Sequence, residues 1–341
     1  MKKNIPKRGI IVTVGTFVSI VIIIIYFALW SSNNFSPSPQ IITINKGAAF
    51  NHIVDSLAEK NIISSKLLFK IVGKIFGYTE KMKAGKYSFN SGVSNIEILK
   101  NIVSGKSLLN ISVTIHEGLQ SRQIAKILKK EIGIDSARFM VLLSDTSILD
   151  SLNIRTTSLE GFLSPNTYNF IWQQEEKDII AKMVGEFKKF YNDSLQQQCR
   201  KIGMSLSELI TMASIVEGEA MLDSERARIA GLYYNRLRKK MPLAADPTIQ
   251  YIIPDGPRRL FYKDLKIQSP YNTYINRGLP PGPINNPGKK SILAALYPEK
   301  NPYLYFVADG YGGHRFAKTY SEHLKNVSLY RKTRAMLASR K

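Results

Sequence analysis

Residues 204–220 read MSLSELITMASIVEGEA, a stretch that predicts a helix with a carboxyl set into it. Ser205-Leu206-Ser207-Glu208 is a capping-box pattern: a serine side chain accepts from a backbone N–H one turn on, and the glutamate reaches back. Leu206, Ile210, Ala213 and Ala220 recur at helical spacing, and Glu217 falls on the same stripe. At about 100° per residue, Glu219 points about 200° away from Glu217, nearer Glu208 and Ile215. The two glutamates are therefore not equivalent, since Glu217 joins the apolar face and Glu219 does not. A carboxyl on an apolar face is desolvated, which favours the protonated form. A general acid near neutral pH needs that form, and glycosidic cleavage needs such an acid on the leaving oxygen. The same residue reads as readily as half of a buried ion pair with Arg226, Arg228 or Arg236.

Other chemistries lack their motifs. There is no HExxH, CxxC or Asp-x-Asp calcium loop, no GxGxxG, P-loop or Gly-x-Ser-x-Gly, so the sequence calls for no metal and no cofactor. Gly310-Tyr311-Gly312-Gly313 follows the apolar run Tyr303–Ala308 and predicts a hairpin turn rather than a phosphate cradle. The histidines His52, His116, His314 and His323 are scattered. Downstream of the helix, polar side chains cluster among Pro and Gly: Asn235-Arg236-Leu237, Asp246-Pro247-Thr248, Tyr271-Asn272-Thr273-Tyr274, Gly278–Ile284 and Asn286-Pro287-Gly288. Rigid loops carrying amides, hydroxyls and flat tyrosines suit hydrogen bonding and stacking against sugars; each residue taken singly is also ordinary turn chemistry.

Gly9 to Trp30 is 22 residues without a charge. As a helix it spans about 33 Å, enough for the hydrocarbon core of a bilayer. Lys2, Lys3, Lys7 and Arg8 precede it, which holds the N-terminus inside and sends the rest out. A cleaved signal peptide would have an apolar core of about 7–15 residues and a small-x-small site; this run is longer and ends in Ala28-Leu29-Trp30. The expectation is a single-pass anchor in the cytoplasmic (inner) membrane, N-terminus cytoplasmic, bulk extracytoplasmic. The net charge is +22, which favours acidic partners or simply reflects a lysine-rich, soluble surface. An extracytoplasmic location disfavours nucleic acid. Cys199 is the only cysteine, so no intrachain disulfide is possible.

Residues 41–69 and 112–140 align at a constant offset of 71. Ile42-Thr43-Ile44-Asn45-Lys46-Gly47 matches Val113-Thr114-Ile115-His116-Glu117-Gly118, and Ile53 and Leu57 match Ile124 and Leu128. Each copy reads as a strand, a Gly turn, an amphipathic helix and a second helix start. The first copy continues to a strand at Ala84–Phe89 and a helix near Ile96–Val103. That order resembles LysM-type sugar-binding modules in pattern; a generic α+β spacer fits equally. The expected fold class is α+β: tail 1–8, transmembrane helix 9–30, linker 31–40, LysM-like module 41–110, and a mixed α/β catalytic domain 111–341.

From Leu159 onward the chain resembles the endolytic murein transglycosylases, the YceG-like or MltG family. The resemblance rests on Leu159-Glu160-Gly161-Phe162-Leu163, Ala213-Ser214-Ile215-Val216-Glu217-Gly218-Glu219, the downstream blocks above, Pro302–Val307, Gly312-Gly313-His314 and Phe316. It implies that Glu217 is the catalytic glutamate. It also implies cleavage of nascent peptidoglycan between N-acetylmuramic acid and N-acetylglucosamine, leaving 1,6-anhydro ends, and peptidoglycan synthases as candidate partners. Candidate substrate contacts are Glu219, Asn235, Arg236, Asp246, Thr248, Tyr271, Asn272, Thr273 and Tyr274. Gly218 departs from the family, whose members often carry Lys there. A water-using muramidase, needing a second carboxylate such as Glu160 or Asp246, and a non-catalytic wall-binding scaffold are the alternatives.

Overall fold

The structure, a computed structural model, describes residues 7–254 and 256–339, and side chains from residue 12 onward. Of the tail read at 1–8, residues 1–6 and the side chains of Lys7 and Arg8 lie outside the described residues. The chain divides into two units, Met1–Ser112 with Asn169–Gln174, and Val113–Tyr168 with Glu175–Lys341.

The first unit runs α1 (Lys7–Trp30), β1 (Ser32–Asn33), β2 (Gln40–Ile44), α2 (Phe50–Glu59), α3 (Lys66–Ile75), β3 (Gly85–Phe89), β4 (Val93–Ser94) and α4 (Asn95–Ser104). Within α1, Val12–Trp30 has a mean hydropathy of 2.6 and is long and apolar enough to cross a membrane. Its last turn joins the unit's core. Ala28 and Leu29 are buried, and Asn95 Nδ2 donates to the Ala28 carbonyl at 2.8 Å. β2 and β3 pair antiparallel, Ile42 opposite Tyr87. Strand alternation turns Ile42, Ile44, Tyr87 and Phe89 inward, onto Ile53, Val54 and Leu57 of α2 and Phe69 and Val72 of α3. The strand, two helices, strand order expected here is present.

The stretch read as a linker is instead built in. β1 pairs with β4, Phe35 is buried, and Asn33 donates from Nδ2 to Val93 O and Asn95 Oδ1, both at 3.0 Å. Polar composition predicts a solvated tether, but an asparagine with long-range partners and one phenylalanine suffice to fasten it.

The second unit opens within β5 (Ile111–Ile115) and continues through α5 (Ser121–Ile132), α6 (Ser136–Leu142), α7 (Thr146–Ser151) and the first residues of β6 (Asn166–Phe170). The offset of 71 holds in the backbone: β2 and β5 start 71 apart, as do α2 and α5, and both strands share one burial pattern. β5 pairs with β6. Next come α8 (Glu176–Phe190), α9 (Asp193–Lys201), α10 (Leu206–Glu219), α11 (Arg226–Arg238), α12 (Asp246–Ile252), α13 (Lys289–Leu296), β7 (Tyr305–Ala308), β8 (His314–Ala317) and α14 (Tyr320–Ala338). β7 and β8 form the expected hairpin.

α10 is capped as predicted: Ser205 accepts from Glu208 N–H, and Glu208 returns the bond. Its surroundings differ from the expected one-sided stripe. Every residue from Leu209 to Val216 is buried, because α9, α11, α12 and α13 all pack against it. A helix apolar all round is a central helix, so stripe geometry does not by itself set the environment of its glutamates.

Candidate active site

Glu217 lies in the last turn of α10 with its side chain 7% exposed. One carboxyl oxygen, Oε1, is 3.2 Å from Arg226 Nη1; the other accepts from Gly288 N–H at 2.9 Å. Of the three arginines considered as ion-pair partners, only Arg226 reaches it. Arg228 pairs with Glu299, and Arg236 donates to the carbonyls of Leu304 and Leu243. Arg226 starts α11 and is itself held by Asp223, Nε to Oδ1 at 2.9 Å, and by Ser291 Oγ. Glu217 is thus both ion-paired and fixed at both oxygens.

The loop supplying Gly288 N–H is positioned by Asn286, which has no solvent exposure. Asn286 Oδ1 accepts from Gly161 N–H and Leu163 N–H, both at 2.9 Å. Its Nδ2 donates to Glu160 Oε1 at 3.0 Å. Its backbone exchanges bonds with Gly118 N and Leu119 O, each 2.9 Å. Three distant segments therefore meet at one carboxamide. Gly161 has φ +88°, and a Cβ there would lie 2.6 Å from Pro283 and 2.7 Å from Ile210, so the position requires glycine. On α10, Ser214 Oγ accepts from Ile284 N–H at 3.1 Å and Ser214 O from Asn285 Nδ2 at 2.8 Å. These bonds clamp the loop to α10.

A cleft of about 330 Å³ opens here, lined by Glu117, Gly118, Gln120, Gly218, Pro247 and Asn285 among others. Gly118 borders Glu217 directly: a Cβ on it would lie 3.5 Å from Glu217 Cγ. Gly218 abuts Pro247, which a Cβ would meet at 2.6 Å; glycine here permits close packing of α12. A larger hollow of about 490 Å³ around Tyr191, Cys199 and Arg200 has no carboxyl in its lining.

The other candidates are distributed as follows. Glu219 accepts from Tyr233 OH at 2.9 Å, and burial raises its carboxyl to about 7. Glu160 is also pushed up to about 7 by burial and is bonded to Ser121 N–H at 3.0 Å. Asp246 accepts from Tyr274 OH. Thr248 and Thr273 are buried with their hydroxyls 2.9 Å apart. Asn272 is fully buried and donates to Leu265 O and Ile267 O, and Asn235 donates to Asn301 O and Tyr303 O. The Tyr271 ring lies 4.9 Å from that of Tyr251, tilted by 43°. Most of these groups already satisfy internal partners, and none of them is in the lining of the cleft. Glu117, Gln120 and Asn285 were not singled out from the sequence. A signal exists only for the first: the repeat places Glu117 where the other copy has Lys46, a reversal of charge.

The chain belongs to the YceG-like family, whose sequence model matches residues 42–329. It is 36% identical over 304 residues to the endolytic murein transglycosylase of Bacillus subtilis (strain 168), covering 85% of this chain and 84% of that one. It is 29% identical to the endolytic murein transglycosylase of Streptococcus pneumoniae (strain ATCC BAA-255 / R6), covering 84% of this chain and 57% of the relative. A crystal structure of a yceG-like protein from Listeria monocytogenes superposes with a TM-score of 0.60 at 34% identity, covering 85% of this chain and 99% of that one.

Proposed function

We infer that this protein is a lytic transglycosylase that cuts peptidoglycan glycan strands internally, with Glu217 as the acid and then the base. The observation that supports the residue assignment is the Glu217 carboxyl, held by Arg226 and Gly288 N–H, with Gly118 of the cleft lining next to its side chain. Glu217 delivers a proton to the glycosidic oxygen as the bond to the muramic acid C1 breaks, through an oxocarbenium-like transition state. The resulting carboxylate takes the proton of the C6 hydroxyl of the same sugar, whose oxygen closes on C1 to give the 1,6-anhydro ring. The nucleophile is intramolecular, so no second carboxylate is needed to position water. Arg226 offsets the charge left on the carboxylate between the two steps.

α1 serves as a single-pass anchor in the cytoplasmic membrane, N-terminus inside, confining cleavage to glycan near the membrane, where synthases extend it. The strand-helix-helix-strand unit is read as LysM-like. Its support is that order together with Trp172, whose Nε1 donates to Asn45 at 3.1 Å, bringing an indole to the end of β2. The deciding experiment is mass analysis of peptidoglycan digests. Wild type releases fragments with 1,6-anhydro ends and Glu217→Gln releases none. Reducing ends in place of anhydro ends identify a hydrolase instead, and full biological activity in the variant leaves the scaffold reading.

A further inference from the structure

The helix α3 divides its surface into three sectors, at about 100° per residue. Phe69, Val72 and Gly73 fall together and are the buried side, packed on α2, where the Phe50 ring lies 6.3 Å from that of Phe69. Leu67, Ile71 and Ile75 fall together on a second side and are 69%, 38% and 57% exposed. Lys66, Lys70 and Lys74 fill the third, and residues 60–79 contain no acid at all. Lys66 is paired with Asp55 at 2.7 Å, so the charge of that sector rests on Lys70 and Lys74. A helix in a water-soluble unit needs one apolar side, for its core. The second apolar side of α3, continued by exposed Phe76 at its C-cap, is surplus to that need.

The position of α3 in the fold names what meets this side. α3 packs against α1. Ser64, just before the N-cap Ser65, donates from its N–H to Asn33 Oδ1 at 2.9 Å, and Asn33 stands just past Trp30, the last residue of α1. Ile25, Ala28 and Leu29 of α1 belong to the same core as Phe69 and Val72, so no free tether lets the unit move away from the end of α1. Tyr26, Phe27 and Trp30 on that end are exposed, as aromatic residues are at a membrane interface. The headgroup zone beyond the hydrocarbon is only about 5–7 Å deep on each side, and α3 stands beside the point where α1 leaves it. An apolar stripe flanked by lysines suits that zone: the aliphatic groups enter the acyl boundary and the lysine stems reach back to phosphates.

We propose that α3 docks on the outer surface of the bilayer crossed by α1, with Leu67, Ile71 and Ile75 at the acyl boundary and Lys70 and Lys74 on anionic lipid phosphates. The proposal rests on the reading of α1 as a membrane span. The contact is peripheral. It sets how the first unit stands on the membrane and does not replace α1 as the anchor, since three apolar side chains are too few for lasting attachment. The test places the full-length chain, one copy per lipid nanodisc, with a lipid that carries a photoactivatable diazirine near the top of its acyl chain. Peptides bearing the adduct are mapped by mass spectrometry. Label is expected on α1 and on residues 67–76, and the α3 label is expected to fall severalfold when phosphatidylglycerol in the disc is replaced by phosphatidylcholine. Leu67→Ser with Ile71→Ser and Ile75→Ser is expected to lose the α3 label, keep the α1 label and keep the unfolding midpoint. If that variant unfolds, Lys70→Gln with Lys74→Gln decides the matter, with a severalfold loss of α3 label in phosphatidylglycerol discs. Label on α1 with none on α3 overturns the docking, whether a second copy or another protein covers this side instead. Equal α3 label in the two lipids, unchanged by the lysine substitutions, overturns the recognition of anionic lipid. Absence of label from both helices overturns the reading of α1 as a span.

Discussion

Arg226 meets Glu217 across 3.2 Å with the two side chains only 9% and 7% exposed. A buried pair of this kind is costly to break from one side, because the remaining charge has neither water nor partner. Arg226→Ala is therefore expected to destabilise the second unit by roughly 3–5 kcal/mol, and Arg226→Lys by less. Release of anhydro-ended fragments should fall in both, more than thermal unfolding alone accounts for at a temperature where the variants remain folded. Arg226→Lys with normal unfolding and normal turnover would show that the guanidinium does not orient Glu217.

Asn286 holds three segments with one carboxamide. Asn286→Ala leaves Gly161 N–H and Leu163 N–H, both bonded at 2.9 Å in the native chain, without an acceptor in a buried setting. At roughly 1–3 kcal/mol for each orphaned group, the loss should be a few kcal/mol, and activity should fall with it because Gly288 N–H is carried on the same loop. Chemical denaturation with an unchanged midpoint would refute this.

Gly161→Ala tests the cradle from the other side. With φ at +88° and a Cβ lying 2.6 Å from Pro283, both backbone strain and a clash oppose alanine. The variant is expected to lose at least about 2 kcal/mol, read as a lowered unfolding midpoint. Gly203→Ala, where φ is +73° and nothing lies within 4 Å of the added Cβ, should lose less, since only strain acts there.

Stability should fall as pH rises from about 4.5 to 7. Glu160 and Glu219 are both raised to about 7 in the folded chain, first of all by burial. Their neutral forms favour the folded state below the unfolded carboxyl range, and that contribution is lost as pH climbs through 7. Each amounts to up to roughly 3 kcal/mol. Glu160→Gln and Glu219→Gln should flatten the slope of unfolding midpoint against pH. Asp264, lowered to about 2 by hydrogen bonds from Arg258, acts with the opposite sign: its contribution is present above the ordinary aspartate range and fades as pH drops towards 2.

Membrane attachment should depend on the apolar helix. A chain lacking residues 1–24 keeps Ile25, Ala28 and Leu29, which pack into the first unit's core, and should stay folded while leaving the membrane fraction. The full-length chain should resist carbonate extraction. A shortened chain that still resists it would place attachment elsewhere.

Much of this was legible without coordinates because it rests on short-range physics. Capping chemistry at Ser205 and Glu208 marks the start of α10, glycines mark the hairpin before His314, and the apolar periodicity of two strands and two helices reveals the offset of 71. Hydropathy over one continuous run shows the candidate span. Each of these is settled by neighbours within a turn or two.

The environment of Glu217 was not legible in this way. Periodicity places it on a stripe, yet α10 is covered on every side. The choice of Arg226 over Arg228 and Arg236, the gathering of Gly118, Gly161 and Gly288 around Asn286, and the approach of Glu117, Gln120 and Asn285 to one cleft join residues up to 168 positions apart. The linker that folds back through Asn33 belongs with them. Such contacts depend on which surfaces meet once the helices pack, and no local pattern encodes that. The stripe that carries Glu217 was thus written in the chain, while the partners that hold its carboxyl and the cleft near it arise only when distant segments are brought together by a common core.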